Sequence, residues 1–201
     1  MDDMVNIMVV GVGGQGILLT TDILAEVALA KGFDVKKSEI HGIAQRGGVV
    51  TSHVSYGKEV YLPVIKKGNA DIVLAFEEME ALRVFDFLGP KGKMIVNTQR
   101  IIPSIVSSGL AEYPSNIMPR LRATKKPIVE IDALKIAVDL GNTRLISTIL
   151  LGSLSSFLDF NEKDWEEKIK ENVPKGTESV NIEGFREGRR VTQKTSEIPH
   201  V

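Results

Sequence analysis

Near its start the chain carries a junction that few architectures accommodate. Met4-Val5-Asn6-Ile7-Met8-Val9-Val10 is a nearly unbroken apolar run that stops at Gly11-Val12-Gly13-Gly14-Gln15-Gly16. A short apolar run bounded by glycines predicts a strand buried on both faces. Beyond the glycines, Leu19, Ile23, Val27 and Ala30 are spaced four, four and three apart, and Ile17, Leu24 and Ala28 widen the stripe. That is helical spacing. Lys31-Gly32 ends the helix, and residues 33–40 predict a second strand. Strand, glycine turn, helix and strand in this order open a doubly wound α/β sheet.

The rest of the pattern keeps this theme, with one departure. Residues 41–48 form a glycine-bearing loop. Residues 49–56 are rich in β-branched side chains and predict a strand. Gly57-Lys58 then predicts a hairpin turn and residues 59–62 a return strand. Residues 71–76 and 93–97 predict buried strands on either side of a Glu-rich helix, 77–87, which ends before Gly89-Pro90. Residues 98–126, with Pro103, Pro114 and Pro119, predict a loop with short elements. A strand at 127–131 and a helix at 133–140 follow, then helices over 143–158, 162–172 and 177–190. The expected fold is a Rossmann-like three-layer α/β domain with a mainly parallel sheet, one hairpin excursion and C-terminal helices. Residues 1–191 make the domain and 192–201 a polar, mobile tail.

Composition removes several function classes. There is no cysteine among the 201 residues, so this chain has no disulfide, thiol nucleophile, thiolate zinc site or Cys-ligated iron–sulfur cluster. That usage fits a reducing cytoplasm. The net charge of −1 and the 5% aromatic content give neither a field nor a stacking platform for nucleic acid. Asp2 and Asp3 stand where a signal peptide would be basic. The longest apolar stretch, 145–158, includes five Ser/Thr and one Gly, and reads as a buried helix rather than a membrane span.

Gly11-x-Gly13-x-x-Gly16 fits the dinucleotide fingerprint in its strand–turn–helix setting. In that reading Gly11 permits the tight turn, Gly13 admits a close backbone or ligand, and Gly16 lets the helix pack on the strand. The helix N–H groups then face an anion, with Gly14 and Gln15 in the same turn. The fingerprint also wants an acid about 20 residues on, and Glu39 stands 23 residues after Gly16. The same glycines also suit a turn that only packs and binds no nucleotide.

A second loop follows the second strand: Ser38-Glu39-Ile40-His41-Gly42-Ile43-Ala44-Gln45-Arg46-Gly47-Gly48. Strand C-termini in an open α/β sheet face one crevice, so both loops are expected on one edge. Glu39, His41, Gln45, Arg46, Gly47 and Gly48 are then the candidate active-site or partner-facing loop, and Gly11, Gly13, Gly14, Gln15 and Gly16 the candidate ligand turn.

At these two loops the sequence resembles the gamma domain of 2-oxoacid:ferredoxin oxidoreductases, and within it the small (beta) subunits of the indolepyruvate type. The resemblance runs from about Val5 to Arg190, with further agreement at Ala70-Asp71-Ile72-Val73-Leu74-Ala75-Phe76-Glu77 and Met94-Ile95-Val96-Asn97-Thr98. It implies a chain that binds no cofactor itself and is inactive alone. It also implies a large alpha subunit carrying thiamine diphosphate, Mg²⁺ and iron–sulfur clusters. The complex is expected to decarboxylate an aryl 2-oxoacid oxidatively, taking coenzyme A and reducing ferredoxin in the cytoplasm, without nucleic acid or membrane. In that setting Arg46 would pair with a phosphate or carboxylate, Gln45 would supply a neutral hydrogen bond, and His41 would be a polar interface contact. Two other readings stay open: a gamma subunit acting on pyruvate, 2-oxoisovalerate or 2-oxoglutarate, and an NAD(P)-binding dehydrogenase using Gly11, Gly13, Gly16 and Glu39.

Among single residues, His53 on its predicted strand reads as a satisfied core or edge residue, and Trp165 as a core cap. Glu77, Glu78 and Glu80 suit the dipole of the helix they open, with Glu77 also near the crevice. Ser147, Gly152, Ser153, Ser155 and Ser156 give the 145–158 helix a small-residue side suited to close packing within the domain.

Overall fold

The computed structural model describes residues 4–42 and 48–196. In chain order the elements are β1 (Val5–Val12), α1 (Ile17–Ala30), β2 (Asp34–His41), β3 (Val49–Gly57), β4 (Ala70–Ala75), α2 (Glu78–Arg83), β5 (Leu88–Asn97), α3 (Ser104–Ser107), α4 (Ile117–Ala123), β6 (Ile128–Ile131), α5 (Ala133–Asp139), α6 (Ile146–Ser155), α7 (Glu162–Asn172) and α8 (Glu178–Ser196). Single 3-10 turns at Phe85–Phe87 and Thr143–Leu145 precede β5 and α6.

The six strands form one sheet in the order β2-β3-β1-β4-β5-β6. β1, β4, β5 and β6 pair in parallel, while β3 runs antiparallel to both β1 and β2. The layers follow from the alternation of side chains along the strands. Ile7 and Val9 of β1 join α1, α5, α6, α7 and α8 in one apolar core, and Met8 and Val10 join α2 and α4 in the other. The three-layer, mainly parallel α/β fold is as expected.

Two details of the expectation are corrected. Residues 59–62 do not form a return strand, because both edges of β3 are already taken by β1 and β2. The antiparallel excursion is β2–β3 itself. The segment after β3 instead leaves the sheet: Val60 N–H donates to the Asp34 carboxylate at 2.9 Å, Val60 is buried, and Tyr61 and Leu62 are exposed. The helix expected to end at 190 continues to Ser196, so residues 192–196 belong to it and not to a mobile tail. Thr192 lies one turn beyond Gly188 and is buried, its hydroxyl donating to Ser153 Oγ at 2.7 Å.

Two single-residue expectations hold. Trp165 is fully buried, edge-on to Phe160 and against Phe185. His53 is buried, its Nδ1 accepting the Ile65 N–H at 3.2 Å, with its ring edge-on to Phe87. Burial holds the His53 imidazole below its ordinary range. The folded state therefore takes up this proton less readily than the unfolded chain does. The stability that His53 contributes is complete above about pH 6.5 and declines as the pH falls below it, with a slope of at most about 1.4 kcal/mol per pH unit. Urea midpoints at pH 7.0 and 5.5 should therefore differ more in the wild type than in His53→Gln. Equal shifts would refute the assignment.

Candidate functional site

The chain after β1 passes to α1 on one face of the sheet, and the chain after β4 passes to α2 on the other. The C-terminal ends of β1 and β4 therefore flank a topological switch point, where open α/β sheets place their crevice. Because β3 is antiparallel to both of its neighbours, β2 runs parallel to β1 with one strand between them. Its C-terminal end, Glu39 to His41, thus reaches the same edge.

The glycine turn departs from the fingerprint reading at two positions. Gly11 does not make the turn. It lies inside β1 opposite Val50, and a Cβ there would stand 2.7 Å from both Gln15 Oε1 and Phe76 Cβ. Its bareness admits the Gln15 side chain. Gly16, at φ 86°, makes the turn, and a Cβ on it would meet Ser147 Cβ at 2.7 Å. It therefore seats α1 against α6 rather than against a strand. Gly13 behaves as expected for a close backbone approach, its N–H donating to Gly48 O at 2.9 Å. The two glycine loops thus meet directly.

Gln15 spans the switch point. Its Oε1 accepts the Val12 N–H at 2.7 Å, and its Nε2 donates to Phe76 O, just past β4, at 3.1 Å. Asn97, at the end of β5, is fully buried. Its Oδ1 accepts the Ala133 N–H at 3.1 Å and its Nδ2 donates to the same Phe76 carbonyl at 3.1 Å. Both amides also donate to Gln99 Oε1, each at 3.4 Å. The Gln99 main chain is fixed too, its carbonyl accepting the Glu78 N–H at 3.2 Å.

Beside this cluster, fully buried Glu77 caps α2 by accepting the Glu80 N–H at 3.0 Å. Its other oxygen accepts the Ile101 N–H at 3.2 Å and the Tyr113 hydroxyl. One carboxylate therefore pins both ends of the 101–113 segment to α2. Burial, then the bond to Glu77, raises the Tyr113 phenol above its ordinary range. Arg100 Nε pairs with the Glu78 carboxylate at 2.7 Å. Burial, against the pull of Arg83, raises the Glu80 carboxyl.

On the second loop, Glu39 pairs with Lys37 at 2.6 Å, and His41 Nε2 stands 3.4 Å from its other carboxylate oxygen. Lys37 also pairs with Asp22 of α1. The bond to Lys37 lowers the Glu39 carboxyl. Although burial opposes it, the partners Asp22 and Glu39 raise the Lys37 ammonium. The intervening β3 sets Glu39 two strand spacings, about 10 Å, from β1. A ribose-binding acid belongs on the strand next to the glycine turn, so this placement counts against the dehydrogenase reading. Gln45, Arg46 and Gly47 lie outside the described residues; Gly48 meets Gly13 as stated. Among the described residues no group of three or more His, Cys, Asp or Glu could hold a metal ion, and no helix is long and apolar enough to cross a membrane.

The structure thus brings Gly13, Gln15 and Gly48 together and adds Asn97, Gln99 and Glu77. Asn97 and Glu77 end two of the apolar strand runs quoted above, a position that marks the crevice. Gln99 carried no sequence signal of its own.

Residues 6–191 match the pyruvate ferredoxin/flavodoxin oxidoreductase family, and the chain belongs to it. Among curated relatives, the indolepyruvate oxidoreductase subunit IorB of Thermococcus kodakarensis is 37% identical over 94% of this chain and 96% of its own length. IorB of Archaeoglobus fulgidus is also 37% identical, over 91% of this chain and 92% of its own. The gamma subunit of a keto/oxoacid ferredoxin oxidoreductase from Geobacter sulfurreducens shares the fold at a TM-score of 0.71 and 20% identity, covering 94% of this chain and 99% of that one. A 2-oxoglutarate:ferredoxin oxidoreductase from Magnetococcus marinus, solved with 2-oxoglutarate, coenzyme A and succinyl-CoA bound, matches at a TM-score of 0.74 and 18% identity. It covers 96% of this chain but only 32% of that one, so there the fold is one part of a longer polypeptide.

Proposed function

We propose that this chain is the small, cofactor-free subunit of an indolepyruvate-type 2-oxoacid:ferredoxin oxidoreductase. The observation that carries the reading is the match to IorB subunits along nearly the whole of both chains at 37% identity, against 27% for a 2-oxoglutarate synthase subunit KorC. A larger subunit carries thiamine diphosphate, Mg²⁺ and the iron–sulfur clusters; this chain has no cysteine to ligate a cluster. Thiamine chemistry of this kind supplies the bond-breaking and needs a dry, closed pocket. The part assigned to this chain is to close the pocket and orient the reactants. The tied loops after β1 and β2 form the rim that docks on the partner, with Gln45 and Arg46 supplying hydrogen-bonding and cationic contacts to carboxylate, phosphate or partner.

Co-expression with the large subunit tests this. Coenzyme A-dependent reduction of ferredoxin by indolepyruvate should require both chains, with indolepyruvate preferred over pyruvate, 2-oxoisovalerate and 2-oxoglutarate. Arg46→Ala should cost at least about tenfold in turnover or subunit affinity without lowering the melting temperature. Nicotinamide turnover by the isolated chain would refute the reading, as would a preference for another oxoacid.

A further inference from the structure

The carboxamide cluster at the switch point is oriented without ambiguity. The Val12 N–H can be received only by an oxygen, which fixes Gln15 with its NH₂ towards Phe76 and Gln99. The Ala133 N–H fixes Asn97 in the same way. Two NH₂ groups therefore face one atom of the Gln99 amide, and that atom must be the oxygen. The Gln99 Nε2 is consequently turned away from the cluster. It has no hydrogen-bond partner among the described residues, and it is absent from their buried unpartnered polar atoms, so it retains access to solvent. Accepting two bonds at the oxygen polarises the amide and strengthens its N–H groups as donors. The same edge carries the α1 N-terminus, which has no side-chain cap and no acid in its first turn, so that terminus favours negative charge.

From this relay of two backbone donors, two buried-side amides and one outward NH₂, we infer that Gln99 is a substrate-contacting residue that donates to an anionic oxygen, carboxylate or phosphate. The inference rests on the proposed function and adds to it the group that reads the substrate's charge. The carboxylate would belong to the oxoacid and the phosphate to coenzyme A. The 3.4 Å contacts serve to aim the donor, and the rigid main chain at Gln99 keeps it on station.

Gln99→Glu separates this role from simple bracing. A carboxylate at 99 still accepts from Gln15 and Asn97 but has lost the outward donor and gained a repelling charge. In the reconstituted complex it should keep the wild-type melting temperature and raise one KM at least tenfold. A rise for indolepyruvate identifies the carboxylate, and a rise for coenzyme A the phosphate. Gln99→Met, neutral and without the donor, should raise the same KM. Both KM values within twofold of wild type would overturn the inference. So would a loss confined to subunit affinity, which would place the donor against the partner's main chain. A wild-type complex that turns over no oxoacid would sink the functional reading alone. The donor is then tested on the free chain: the Gln99 side-chain amide resonance should shift with inorganic pyrophosphate or pyruvate, and an unmoved resonance overturns it.

Discussion

Gly152→Ala and Gly188→Ala each lower stability by about 3 kcal/mol or more, while Gly184→Ala leaves it nearly unchanged. In an ordinary helix interior a Gly→Ala change gains up to about 1 kcal/mol from propensity, so the expected sign at 152 and 188 is reversed by packing. The cause is the approach of α6 to α8. A Cβ on Gly152 would overlap the Phe185 carbonyl, and a Cβ on Gly188 would overlap the Ile149 carbonyl. Backbone on both sides leaves no flexible side chain to give way. At Gly184 the nearest atoms are side-chain atoms at 3.3 to 3.4 Å, which can shift. The crossing is also tied by polar contacts: Arg189 donates to Ser155 O at 2.9 Å and Thr192 to Ser153 Oγ. For a chain of this size, thermal unfolding should show a fall of roughly 6–12 °C for the two sensitive variants. A midpoint at or above wild type for either would mean that the helices separate without penalty.

Glu77→Ala should destabilise by about 3 kcal/mol and also abolish most turnover of the assembled complex. Losing the cap of α2 costs about 1 kcal/mol. Leaving the Ile101 N–H and the Tyr113 hydroxyl without their acceptor costs about 1–3 kcal/mol more. Turnover falls because the released segment begins two residues after Gln99 and carries Ile102 and Ile105, both about half exposed. Glu77→Gln keeps one acceptor oxygen and should lie between the two. Chemical denaturation and turnover, measured on the same three proteins, check both effects. A Glu77→Ala chain that kept wild-type turnover would dissociate the clamp from function.

Much of the architecture was legible because buried parallel strands write continuous apolar runs: β1, β4 and the end of β5 each stand out from their surroundings. Strand neighbours were not legible. Nothing in residues 49–56 states that they insert between β1 and β2, and the Glu59-Val60-Tyr61-Leu62 alternation imitates a return strand although β3 has no free edge to pair with it. The small-residue side of α6 was visible, but its match to Gly188 on α8 depends on tertiary packing. The glycine turn and the loop to Gly48 were found from their residues, and the structure joins them. Gln15 and Asn97 meet only because the turn after β1 and the end of β5 both reach the Phe76 carbonyl past β4, a convergence that spacing along the chain does not encode.

The placement of β3 has a consequence for synthesis. When the nascent polypeptide has produced β1, α1 and β2, the first strand has no hydrogen-bonding partner on either side, since β2 is one position too far away and β4 has not been made. Its first edge is paired when residues 49–57 fold back into the gap, and its second waits for β4. Until then the chain exposes an eight-residue, strongly apolar strand with unpaired edges, the kind that recruits other chains. Stalling or truncation before that point should give aggregates, whereas release after β4 should give a collapsible core.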